Sequence, residues 1–171
     1  PGEIVTIDNQ GLSFDTLKQT METNVFGVFL VTQTFVPFMN VGGSIVMLSS
    51  MLGSLKNMGK TTLAYRMSKT SVNAMTRVLA AELEASNIRV NSVCPGSTRT
   101  NRITNIYSEM IKQTGQSLEE VEELSAQNIP MKRIGEPYEL AALVAFLASE
   151  RASYMTGLAI QVDGGSARTY Y

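Results

Sequence analysis

Ser44-Ile45-Val46-Met47-Leu48-Ser49, a helical pattern from about Leu63 to Ala85, and Arg89-Val90-Asn91-Ser92-Val93-Cys94 form one strand–helix–strand run whose reading decides the fold. The first hexapeptide is a short apolar run, read as a strand buried on both faces. Met67, Val72, Met75, Val78, Leu79 and Leu83 recur at helical spacing behind it. Asn87-Ile88 makes a short turn, and the second buried strand stops at Pro95-Gly96.

Working outward, an earlier helix is expected from Ser13 to Met39. Leu17, Met21, Val25, Val28, Phe29, Thr32, Phe35 and Val36 mark its period, with Ser13 or Asp15 as the cap and Gly42-Gly43 as the break. The first dozen residues read as irregular, and a loop runs from Ser50 to Thr62 with Gly53 and Gly59. Two short helices are expected between Asn101 and Asn128. Pro137 sits at the first turn of a further helix that reaches about Ser149. Ala159-Ile160-Gln161-Val162 is a third strand, ended by Asp163-Gly164-Gly165. Helix and strand alternate throughout, which indicates a parallel α/β architecture. Right-handed crossovers make the three strands sequential neighbours with helices on both faces. Three strands form a small sheet, and a free edge on the first would be a liability.

A chain of 171 residues can bury a real core as one domain. Its net charge of −1, with acids and bases mixed, argues against a nucleic-acid partner. No apolar run approaches the ~20 residues that span a bilayer, and no basic amphipathic stretch suggests a membrane surface. Pro1-Gly2-Glu3 opens no signal-peptide pattern, and the lone Cys94 fits a reducing, cytoplasmic compartment. Histidine is absent, which removes the Ser-His-Asp triad, the Cys-His dyad and most zinc sites. Acid/base chemistry must then run on Tyr, Lys or a carboxylate. The Glu119-Glu120-x-Glu122-Glu123 run is read as a solvated helix face, and no metal site is expected.

Tyr65-Arg66-Met67-Ser68-Lys69 is the sharpest chemical feature. Positions i and i+4 lie on one helix face, so the phenol and the ammonium point the same way. A nearby cation favours phenolate and makes a general acid/base without histidine. The pair alone is also what a solvated helix surface would carry. Ser49-Ser50 ends the preceding strand at the sheet edge where α/β proteins place ligands, although a Ser pair there also serves loop backbone groups.

Five ordered motifs resemble the short-chain dehydrogenase/reductase family: Asn24-Val25-Phe26-Gly27; Ser49-Ser50; Tyr65-x-x-x-Lys69; Asn91 to Gly96; and Thr156-Gly157 with Val162-Asp163-Gly164-Gly165. The match runs from about Thr16 to Gly165, and the stretch from Ile129 resembles the 3-oxoacyl-acyl-carrier-protein reductase branch. The resemblance implies the C-terminal part of a doubly wound, Rossmann-like three-layer α/β/α sandwich with parallel strands. It implies a single truncated domain over 1–171 with a substrate lid at about 101–128. Ile103, Ile106, Tyr107, Met110 and Ile111 would form the lid's apolar wall, unless they simply pack an amphipathic helix.

It also implies roles. Tyr65 would be the general acid in reduction and the base in oxidation. Lys69 would tune it and bind the nicotinamide ribose, Ser50 would orient the substrate oxygen, and Asn24 would interrupt its helix and hold a relay water. Pro95, Gly96, Thr98 and Thr100 would lie against NAD or NADP. Ser50 stands 15 positions before Tyr65, two more than the family's usual spacing, which keeps Ser49 open as an alternative. Thr98 takes a place usually held by an aliphatic residue. No Gly-x-x-x-Gly-x-Gly occurs, so the resemblance implies that the first nucleotide-binding half is missing and that the isolated chain binds cofactor weakly or not at all. Two functions follow: hydride transfer between a nicotinamide and a small-molecule carbonyl or secondary alcohol, or a non-catalytic truncated fragment that folds and associates. The implied assembly is a homodimer or homotetramer.

Overall fold

A computed structural model describes residues 13–53 and 63–167 of the chain. The expected irregular N-terminal dozen and the loop beyond Gly53 lie outside the described residues. Helix α1 spans Phe14–Met21, and the Ser13 hydroxyl caps it by accepting from the Thr16 N–H. A π-helical turn, Glu22–Phe26, follows, and helix α2 spans Gly27–Phe35. Strand β1 is Ser44–Leu48, helix α3 Leu63–Glu82 and strand β2 Arg89–Pro95. Helices α4 (Asn101–Thr114), α5 (Leu118–Ala126) and α6 (Pro137–Ala148) precede strand β3, Ala159–Val162.

The three strands are parallel and ordered β1-β2-β3, with Ser44 opposite Arg89, and Ser92 opposite Ala159. Two-residue alternation sends β2 side chains to both faces. Val90 joins Met47 and Val72 in a core against α3, while Val93 joins Leu147 and Ala152 in a core against α6. The result is the expected three-layer α/β/α arrangement.

The structure corrects one feature of β1. Only Met47 is buried within it, and Leu48 is 58% exposed. Its composition is that of a doubly buried strand, but it pairs on one side only among the described residues and lies at the sheet edge. By contrast β2, paired on both sides, is buried from Arg89 to Cys94.

Polar side chains lock the crossover into β3. The Asn91 amide donates to the Met155 carbonyl and accepts from the Leu158 N–H, and the Thr156 hydroxyl accepts from the Val90 N–H. Asn91 and Thr156 thus serve backbone groups that the sheet leaves unpaired.

Candidate active site

Ser49 and Ser50 follow the C-terminal end of β1, Pro95 and Gly96 close β2, and Tyr65 and Lys69 stand on α3. One helical turn separates Tyr65 and Lys69, and the Lys69 Nζ stands 5.7 Å from the centre of the Tyr65 ring, over its face. The same Nζ donates to the carbonyl of Leu48, the last residue of β1, at 2.9 Å. The ammonium is thereby tied to the strand end, and among the described residues this is one acceptor for its three N–H bonds. Burial pushes the Lys69 ammonium below its ordinary value, and the neighbouring Cys94 thiol acts in the opposite direction.

The two serines are placed differently. Ser49 is buried and its hydroxyl donates to the Lys69 carbonyl at 3.0 Å. Ser50 accepts from the Leu52 N–H at 3.2 Å in the turn Met51–Gly53. Gly53 is needed there. A Cβ on it would come within 3.0 Å of the Lys69 backbone carbon, so glycine lets the turn rest directly on α3.

Asn24 lies in the π-helical turn, as an interruption of the first helix implies. The turn forms because the Gly27 N–H reaches the Glu22 carbonyl five residues back. The Asn24 side chain donates to the buried Ser68 hydroxyl at 3.1 Å, and Ser68 donates to the Tyr65 carbonyl at 2.7 Å. Sequence reasoning missed Ser68. It sits inside the quoted Tyr65–Lys69 stretch, but a small polar residue on a helix carries no signal of its partner.

The β2 terminus supplies the other group. Gly96 donates its N–H to Val162 at 2.9 Å, and a Cβ there would clash with Asp163 at 2.7 Å. Pro95 ends the strand beside it. The Thr98 hydroxyl donates to the Gly96 carbonyl. Thr100 opens α4 in an extended conformation, with its hydroxyl not engaged in capping. Cys94 is fully buried nearby and donates to the Asn73 side chain, and burial raises its thiol above the ordinary value while hydrogen bonds, Ser49's first, act against that.

The 101–128 segment folds as two helices around its own core. Tyr107, Val121, Ile129 and Ile134 are buried together, with Ile103, Met110 and Ile111 packed on them. Most of the expected apolar wall therefore faces this small core, and Ile106 stays 43% exposed. The acidic run is only partly a solvated face. Glu120 closes a capping box with Ser117, and Glu122 pairs with Arg99. A hollow of about 570 Å³ lies along α5 between Gln116 and Lys132, and none of the site residues line it.

Known proteins resemble the chain in sequence and in fold. A family model described as enoyl-(acyl carrier protein) reductase matches residues 7–167. The chain is 38% identical to the 3-oxoacyl-[acyl-carrier-protein] reductase FabG of Thermotoga maritima, over 94% of this chain and 65% of that protein. It is also 38% identical to the oxidoreductase UcpA of Escherichia coli, over 91% of this chain and 58% of that one. Among solved structures, a short chain dehydrogenase family protein of Francisella tularensis superposes with a TM-score of 0.84 at 32% identity, covering 91% of this chain and 63% of its own. The aldohexose dehydrogenase of Thermoplasma acidophilum gives 0.83 at 30%, covering 94% and 64%. The chain thus spans less than two thirds of the length of each of these proteins.

Proposed function

The chain belongs to the short-chain dehydrogenase/reductase family, and we propose that it carries the proton-handling side of a hydride-transfer site for a carbonyl or secondary alcohol. The observation that carries this reading is the Lys69 ammonium over the face of Tyr65 at the end of β1. A phenol beside a fixed cation can give a proton to a developing alkoxide and take it back in the reverse direction. Lys69 stabilises the anionic oxygen that results and keeps donors for a ribose hydroxyl.

The choice between the serines follows from their hydrogen bonds. Ser49 has committed its proton to Lys69, whereas Ser50 accepts from Leu52 and, among the described residues, has no acceptor for its own proton. Ser50 is therefore the group that orients the substrate oxygen. Asn24 positions Tyr65 through Ser68.

A nicotinamide cofactor, NAD or NADP, would be held by Tyr65, Lys69 and the Thr100 hydroxyl as donors, with Pro95, Gly96 and Thr98 as the wall; the support for this is that Lys69 is tied to the end of β1 and that Pro95 and Gly96 close β2. When bound, that cofactor supplies or accepts the hydride. Helices α4 and α5 form the lid of a single domain. The relatives' names make a 3-oxoacyl thioester the first substrate to try. A reducing cytoplasmic setting and a homo-oligomer complete the reading. No helix of the described residues is long and apolar enough to cross a membrane.

Tyr65→Phe is the test. Oxidation of NADH and NADPH is followed with a 3-oxoacyl thioester and with simple ketones. Turnover falls on the order of 10²-fold or more if Tyr65 is the acid, and unchanged turnover eliminates the mechanism. Titration of both dinucleotides into the purified chain separates the competing reading. Absence of binding and turnover together favours an associating, non-catalytic fragment.

A further inference from the structure

The chain from Thr100 to Ile134 leaves the sheet, makes α4 and α5, and returns through a narrow neck. The Arg99 N–H donates to the Gly135 carbonyl at 2.8 Å, and the Gly135 N–H donates to Ser97 at 2.9 Å. Inside this closed excursion lies the separate core of Tyr107, Val121, Ile129 and Ile134. A unit with its own core, joined at a neck, moves as a body when its outer contacts let go.

One side chain at the neck spans the outer contacts. Arg99 donates through Nη1 to Glu122 on α5, and through Nε to Glu136, the residue that caps α6, at 2.9 Å. Nη2 reaches the second Glu122 oxygen at 3.4 Å. The planar guanidinium thus holds two carboxylates from two helices, which a lysine could not do with the same geometry. Among the described residues, this is the ion pair that ties α4 or α5 themselves to the rest of the fold; Arg133, at the returning end of the excursion, pairs separately with Glu139 on α6, so the test reads residues 101–126.

We propose that Arg99 is a positioning residue, an electrostatic latch that holds the α4–α5 lid against the neck beside the site. The proposal rests on reading α4–α5 as the lid of that site. Arg99 is 45% exposed and Glu122 30%, so salt reaches the pair and weakens it. Added salt and loss of either charge should therefore release the same segment.

Hydrogen exchange of the whole chain tests this without turnover. Arg99→Met keeps the apolar stem and removes the charge, and Glu122→Gln keeps the shape. Each should speed exchange of residues 101–126 roughly three- to tenfold, while β2 and α3 stay unchanged. The double variant should be no faster than Arg99→Met alone. About 1 M NaCl, where the screening length is ~3 Å, should do the same to the unaltered chain and add nothing in the variants. Unchanged exchange in 101–126, an equal rise in β2 and α3, or additive effects would each overturn the latch. Should a variant fail to fold, the salt titration of the unaltered chain decides alone, and a flat response rejects the proposal. A latch confirmed in a chain with no turnover leaves this inference standing and removes only the hydride-transfer reading. Turnover with no salt response does the reverse.

Discussion

Ser49 and Ser50 are adjacent, both buried and chemically identical, yet they make different hydrogen bonds. Removing the Ser49 hydroxyl takes a donor from the Lys69 carbonyl inside the fold, at about 1 kcal/mol. Removing Ser50 takes away the hydroxyl that, on the proposed reading, donates to the substrate oxygen. Ser49→Ala should lower the thermal midpoint with a modest effect on rate. Ser50→Ala should lower kcat/KM on the order of 10²-fold, the scale of a lost oxyanion donor, with little change in midpoint. Rate and melting measurements on both variants check this, and the reverse pattern moves the substrate contact to Ser49. The sequence singled out Tyr65, Lys69, Asn24 and the serine pair because ordered motifs reveal residue types at fixed spacing. It left the serines unresolved and overlooked Ser68, because which hydroxyl bonds to which carbonyl depends on contacts between residues 20 to 44 positions apart.

At the scale of elements, the start of α6 shows how charge fixes a helix to the segment that leads into it. Glu139 accepts from both Arg133 amines at 2.8 and 2.6 Å and from the Glu136 N–H at 2.7 Å. Arg133 foremost, with the Glu136 N–H behind it, holds the Glu139 carboxyl down at about 2, against a usual value near 4.5. A depressed carboxylate contributes its full stability above the usual value and loses it as pH falls towards the depressed one. The thermal midpoint should therefore decline between pH 4.5 and 2, and Glu139→Gln should flatten part of that decline while lowering the midpoint at pH 6. A variant whose midpoint follows the same acid limb as the parent would show that other carboxylates control it. The elements themselves were largely legible. β3 spans the predicted Ala159–Val162, β1 begins at Ser44 and β2 at Arg89, because short apolar runs ended by Gly and Pro leave little choice. The exposure of β1 was not legible, since whether a strand lies at an edge is a property of its neighbours. The capping role of Glu120 and the pairing of Glu122 escaped for a similar reason: a run of like charges reads as solvated until its partners are placed.

At the scale of the whole molecule, α2 presents a set of exposed apolar side chains among the described residues. Leu30, Val31 and Phe35 are 56, 59 and 62% exposed, and Phe38 and Val41 continue the patch at 82 and 80%. A helix that is apolar on nearly every side is normally covered, and contiguous exposed apolar patches of more than a few hundred Å² mark association surfaces. Charge does not oppose self-association, because the net charge is −1. A second copy is therefore the expected cover. In a two-fold pair each α2 would meet the same patch on its partner, so one substitution acts twice across the contact. Phe35→Asp should then convert a dimer or larger assembly into monomer, with α3 and the sheet still folded by circular dichroism. Light scattering or sedimentation of the parent and the variant at tens of micromolar, a range set by the weak end of interface affinities, reads the outcome. A parent chain that is already monomeric there would remove the homo-oligomer, and α2 would need a different partner to cover it.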